Sequence, residues 1–128
     1  MVKLGGNFLI IAAVQAMAEA SALAEKNGVP RAALLDMLTQ TLFACPIYQS
    51  YSRRVIDADF EKAGFRASLA LKDVELAVQT AADSGVPMPT LSLLREQYLA
   101  AMAKGRESMD ATVIALEAAE AAGLKWGS

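Results

Sequence analysis

The chain has no histidine and a single cysteine, Cys45. Zinc sites, Ser-His-Asp triads and Cys-His pairs all need side chains that are missing or too few, so no metal site is expected. No disulfide can close within one chain. The opening MVKLGGNFLI lacks the cleavage-site pattern of a secretory signal, and with the lone cysteine this points to a reducing cytoplasm. Charge is scarce and balanced, 12 Lys and Arg against 14 Asp and Glu, with no basic block. A nucleic-acid partner, which demands phosphate neutralisation, is therefore not expected. Long apolar runs are absent too. The most apolar uncharged stretch, Leu4 to Ala18, has 15 residues and is broken by Gly5, Gly6, Asn7 and Gln15, whereas a membrane span needs about 20. No membrane partner is expected.

What is present is a composition that folds. Hydrophobic residues make up 55% and charged ones 20%, enough apolar surface to offset ordering entropy. A length of 128 residues gives one domain. Alanine (26) and leucine (16) dominate, and β-branched runs are short, as at Ile10-Ile11 and Val113-Ile114, so the fold class is all-α with about six helices.

The first helix is predicted from about Leu4 to Lys26, stopping at Asn27-Gly28. Pro30 opens a second at its first position, running through Leu38. After Cys45-Pro46 a third covers Ile47 to Ile56, and Asp57 to Phe65 reads as a loop. A fourth spans Ala67 to Asp83, with Ala67, Ala70, Leu71, Val74, Ala77, Val78 and Ala81 as one apolar stripe. The fifth starts with Thr90 as N-cap and ends at Lys104-Gly105. Ser108 or Asp110 caps a sixth that reaches about Ala122. The heptapeptides AEKNGVP (Ala24 to Pro30) and AADSGVP (Ala81 to Pro87) echo each other; a shared way of stopping one helix and starting the next explains them without duplication.

The first helix is apolar nearly all round, from Phe8 to Met17, which predicts burial on every side. Lys3 and Asn7, at i and i+4, share a face at its start. Two readings of Lys3 stay open on residue types alone: a half-buried amine whose desolvation brings its pKa toward neutrality, or a terminal lysine in solvent. Lys72-Asp73 begins a second polar set with Glu75 and Gln79. Lys72, Glu75 and Gln79 fall on one face, where the ordinary expectation is a solvated surface with a Lys-Glu pair worth about 0.3 kcal/mol.

Taken together, Val2-Lys3-Leu4-Gly5-Gly6-Asn7-Phe8 and, downstream, Phe65, Leu69, Lys72-Asp73-Val74 and Ala77, with the GVP turns and Phe43-Ala44-x-Pro46, resemble the C-terminal half of the β-hydroxyacid dehydrogenases. That family includes 3-hydroxyisobutyrate dehydrogenase and tartronate semialdehyde reductase, with 6-phosphogluconate dehydrogenase as a more distant relative. The resemblance covers essentially the whole chain. It implies a 6-phosphogluconate dehydrogenase C-terminal-domain-like bundle with a long buried first helix. It also implies roles: Lys3 as catalytic acid/base, Asn7 as substrate ligand, and Lys72 and Phe65 at the cofactor side of the cleft. Three departures blur the subfamily. Gly6 stands where the family often has an Asn, Glu75 replaces a Gly, and Gln79 replaces a frequent Asp.

Family members place a Rossmann domain with G-x-G-x-x-G ahead of this half. That fingerprint occurs nowhere in the chain, and Gly5-Gly6 cannot replace it, since the fingerprint needs a preceding strand. Residues 1–128 are thus expected to be a single helical substrate-binding and dimerisation domain, a fragment or separately encoded half lacking its NAD(P)-binding domain. NAD or NADP would serve the parent enzyme, and none is expected to bind this chain alone. The expected activity is interconversion of a small β-hydroxyacid and its semialdehyde, with the isolated chain an inactive homodimer. The competing expectation is a non-enzymatic helical association module. An imine-reductase-like relative fits less well, because those enzymes usually place a different residue at position 3.

Overall fold

Glycines and prolines set most of the helix boundaries in the computed structural model, which describes residues 1–126. Six α-helices result: α1 (Val2–Lys26), α2 (Arg31–Gln40), α3 (Pro46–Asp57), α4 (Ala67–Ser84), α5 (Pro89–Ala103) and α6 (Ile114–Ala121). A single 3-10 turn, Ala111–Val113, leads into α6. The described residues contain no strand, only an isolated antiparallel bridge between Arg66 and Asp110.

The two echoed heptapeptides have one physical cause. Gly28 and Gly85 both adopt positive φ, 86° and 69°. The Val29 amide then donates to Ala24 O and the Val86 amide to Ala81 O, each at 2.9 Å, satisfying carbonyls that a helix end leaves unpaired. Starts differ from expectation by a residue or so. Pro30 is the residue just before α2, and α5 begins at Pro89 with Met88 before it, so Thr90 lies inside the helix instead of capping it. Of the two candidates for the sixth cap, Asp110 is the one that serves, accepting the Thr112 amide.

α1 is the centre of the bundle and touches every other helix. Val14, Met17 and Ala18 pack into a core completed by Leu35, Val55, Phe60, Val74, Leu91, Leu94, Tyr98, Ile114 and Trp126. Buried alanines, Ala67, Ala70 and Ala77 on α4 and Ala115 and Ala119 on α6, let the helices approach closely. Burial of α1 is nevertheless one-sided. Leu9 and Leu23 remain 66% and 69% exposed, so the expectation of cover on every face holds only for the side turned to the bundle. An all-round apolar sequence has no periodicity with which to announce its open side. At 25 residues α1 also has the length and apolarity of a membrane-crossing helix, which the count of 15 uncharged residues did not register; here its inner face is core.

Candidate active site

The helical spacing of α1 gathers Lys3, Asn7, Ile10, Ile11 and Val14 on one side, polar groups first and apolar ones deeper. They form one wall of a cleft of about 460 Å³, within the range of small-ligand sites. Ser50, Tyr51 and Arg54 of α3 face them, Gly64 and Phe65 close one edge, and Asp73, Tyr98 and Asp110 to Thr112 complete the lining. Three of the four residues singled out in the sequence, Lys3, Asn7 and Phe65, therefore meet in one cleft. The fourth, Lys72, is exposed and lies outside the lining, although its neighbour Asp73 is part of it.

Lys3 is exposed, which settles the choice between half-buried amine and solvated lysine in favour of solvent access. Lys72 forms no ion pair with Glu75 among the described residues; on the same face Gln79 Nε2 instead donates to Asp83 Oδ1 at 2.8 Å. Phe65 and Leu69 are both exposed large apolar residues, leaving an apolar rim beside the cleft.

Asp110 is the best-connected group in the site. Oδ1 accepts from the Gly64 and Phe65 amides at 2.9 and 3.2 Å, and Oδ2 from the Thr112 amide and hydroxyl at 3.0 and 2.5 Å. Burial pushes this carboxyl up, but the combined hydrogen bonds from Thr112, Phe65 and Gly64 outweigh it and hold the group below the usual carboxylate range. Tyr98 is driven the other way, mainly by burial and further by the neighbouring Asp110 charge; its O–H stays protonated and donates to Ala111 O at 2.8 Å. Neither Tyr98 nor Asp110 is placed to exchange protons near neutral pH, which leaves Lys3 as the solvent-accessible amine of the lining. Sequence reasoning identified Asp110 only as a helix cap. Its second task depends on a loop 45 residues away in sequence, for which no local signal exists.

The described residues hold no cluster of three His, Cys, Asp or Glu side chains. Nor do they hold the strand, glycine turn and helix that would cradle a dinucleotide's pyrophosphate. The exposed apolar rim of Phe65 and Leu69 lies beside the cleft that Lys3 and Asn7 line.

A family model described as NAD-binding of NADP-dependent 3-hydroxyisobutyrate dehydrogenase matches residues 1–124. The chain is 32% identical over 124 residues to 3-sulfolactaldehyde reductase of Escherichia coli, covering 96% of this chain and 41% of that protein. It is also 32% identical over 108 residues to an uncharacterized oxidoreductase of Bacillus subtilis, covering 84% of this chain and 37% of the relative. The bundle superposes on 3-hydroxyisobutyrate dehydrogenase of Mycobacterium tuberculosis with a TM-score of 0.77 at 27% identity, over 91% of this chain and 42% of that one. It shares the fold of the Salmonella typhimurium protein of the same name, with a TM-score of 0.80 at 24% identity, over 91% and 40%. The chain thus spans about two fifths of the length of the relatives it matches. It belongs to the family of the NAD-binding helical domain of NADP-dependent 3-hydroxyisobutyrate dehydrogenase.

Proposed function

We propose that this chain supplies the substrate-binding and dimer-forming half of an NAD(P)-dependent oxidoreductase that interconverts a small β-hydroxyacid and its semialdehyde. The observation that carries this reading is the convergence of Lys3, Asn7 and Phe65 in one cleft. The nicotinamide, held by a Rossmann domain outside this chain, supplies the hydride. On reduction the Lys3 ammonium gives a proton to the substrate oxygen as hydride reaches the carbonyl carbon, and Lys3, being exposed, recovers a proton from water. In the reverse direction the free amine takes the hydroxyl proton. The Asn7 amide, one helical turn on, hydrogen-bonds the substrate and fixes its oxygen toward Lys3. Phe65 would cover the nicotinamide side, and Lys72, exposed on α4, would meet the cofactor. The single exposed thiol, Cys45, suits a reducing cytoplasm.

The test is reconstitution. The chain, mixed with or fused to a cognate Rossmann domain, is expected to oxidise NAD(P)H in the presence of small semialdehyde acids. No turnover, or turnover unchanged by Lys3→Ala, would remove the catalytic assignment.

A second reading, a helical association module without catalysis, draws on the open face of α1, where Leu9 and Leu23 stand in solvent. The two readings share one expectation, a homodimer formed through this face. They part at reconstitution, because an association module gives no turnover with any partner.

A further inference from the structure

Phe65 reaches the cleft from a segment with no helix or strand of its own. Between the end of α3 and the start of α4 the chain runs from Ala58 to Arg66 as turns and irregular backbone, yet Phe65 is fixed at both of its backbone groups. Its amide donates to Asp110 Oδ1 at 3.2 Å, and its carbonyl accepts from the Ala111 amide at 2.7 Å. The preceding Gly64 amide donates to the same Oδ1 at 2.9 Å, and the Asp110 amide donates to Phe60 O at 2.8 Å. Arg54 adds a hold on the Lys62 carbonyl at 3.0 Å and stands 3.8 Å from Asp110 Oδ1.

The two oxygens of Asp110 have separate tasks. Capping the 3-10 turn that opens α6 needs one acceptor, and Oδ2 provides it through Thr112. A hydroxyl would do that as well. Oδ1 serves the Gly64–Phe65 segment, with Arg54 at 3.8 Å as its cation, and a buried carboxylate is tolerated there because every bond it accepts offsets the cost of removing it from water. We infer that Asp110 is a positioning residue: by gripping the Gly64 and Phe65 amides it sets the Phe65 ring on the nicotinamide side of the cleft, so the site's grip on the cofactor depends on this carboxylate. The inference rests on the reading of the cleft as the substrate site.

Two variants separate the tasks. Asp110→Ser keeps a hydroxyl to cap the turn but cannot reach the loop, while Asp110→Asn keeps the shape and loses one of the two accepting oxygens. Amide hydrogen exchange on the full chain is expected to speed up about tenfold at Gly64 and Phe65 in either variant, with the amides of core residues such as Leu94 and Ala18 little changed. In the enzyme reconstituted with its Rossmann domain, Asp110→Ser is expected to raise KM for NAD(P)H about tenfold with kcat changed less. In a Phe65→Ala background the same substitution should add nothing, because the residue through which it acts is gone. Unchanged exchange at Gly64 and Phe65, or a KM penalty that adds in full to that of Phe65→Ala, would overturn the inference while leaving the site reading intact. Faster exchange at those amides in a reconstituted protein that turns over no semialdehyde acid would instead overturn the site reading, and the cofactor-side role of Asp110 with it. Should Asp110→Asn fail to fold, Asp110→Ser alone separates these outcomes.

Discussion

Trp126 Nε1 donates to Glu25 Oε1 at 2.6 Å, joining residues 101 positions apart. The other oxygen of the same carboxylate pairs with Arg31 at 2.9 Å. The Arg31 guanidinium lies 4.5 Å from the centre of the indole ring and also donates to the Val55 and Ile56 carbonyls at the end of α3. One arginine thus binds the α1–α2 corner, the last turn of α3 and Trp126, using all three guanidinium nitrogens and its flat face.

This knot makes Trp126 a structural element. Trp126→Phe keeps an aromatic ring beside Arg31 but removes the donor to Glu25, at an expected cost of about 1 kcal/mol. Trp126→Ala also empties a core position and should cost about 3 to 4 kcal/mol. By contrast Arg53→Ala, which breaks the exposed pair with Asp36, should stay within about 0.5 kcal/mol. Urea midpoints for the three variants provide the check; equal effects of Trp126→Phe and Arg53→Ala would show the knot to be no more than a surface contact.

A second charged knot governs acid stability. Glu117, only 3% exposed, receives Lys104 and Arg106, each at 2.6 Å, and both cations also reach Glu120. The Arg106 guanidinium, opposed by some burial and assisted by Lys104, holds the Glu120 carboxyl at about 2 against an ordinary 4.5. Because the folded value lies below the unfolded one, this stabilisation is fully present above about pH 4.5 and is lost as the pH falls toward 2. Asp110 is shifted in the same direction. Thermal melts between pH 7 and pH 2.5 should therefore show Tm falling below pH 4.5, more shallowly in Glu120→Gln, with the difference shrinking in high salt. Parallel curves for the two proteins would contradict the assignment.

How much of this was legible in the sequence depends on range. Helix ends at Gly28 and Gly85 are local events, decided by a residue that tolerates positive φ, and they appear where the sequence places them. The pairing of Lys3 with Asn7 is likewise a matter of i, i+4 spacing. The open side of α1 was not legible, because Phe8 to Met17 are apolar in every direction and only the packing of the other five helices selects a face. The double task of Asp110 was hidden for a different reason: an Asp before a helix explains itself as a cap, and nothing nearby announces the Gly64–Phe65 amides. Trp126 and Glu25 share no sequence signal at all.

Lys3 allows chemistry and stability to be separated. It is exposed and its side chain makes no hydrogen bond or ion pair among the described residues, so Lys3→Ala should leave thermal stability within about 0.5 kcal/mol of the parent. In the reconstituted enzyme the same change removes the proposed proton donor, and kcat should fall about 10²- to 10⁴-fold. Lys3→Arg retains the charge but holds its proton too firmly for exchange, so it should fall almost as far. Full activity in Lys3→Arg would show that the residue contributes charge alone.

The open face of α1 sets the expected oligomeric state. Val2, Leu9, Ala16 and Leu23 are all exposed and stand seven residues apart, a spacing that drifts only about 20° per repeat and so forms a nearly straight row. Across 21 residues of helix that row is about 32 Å long. At its N-terminal end a Cβ on Gly5 or Gly6 would meet open space, so the helix is bare there to the backbone. An apolar row of this length on a water-exposed helix is stabilised when a matching surface covers it, and a second copy related by a two-fold axis offers the same row in reverse. Sedimentation at micromolar concentration is therefore expected to show a dimer. Leu23→Glu, which sets a charge in the row far from Lys3, should convert it to a monomer with helical content retained by circular dichroism. A monomeric parent chain would remove the dimer from the proposal, and a dimer indifferent to Leu23→Glu would move the interface to another face of the bundle.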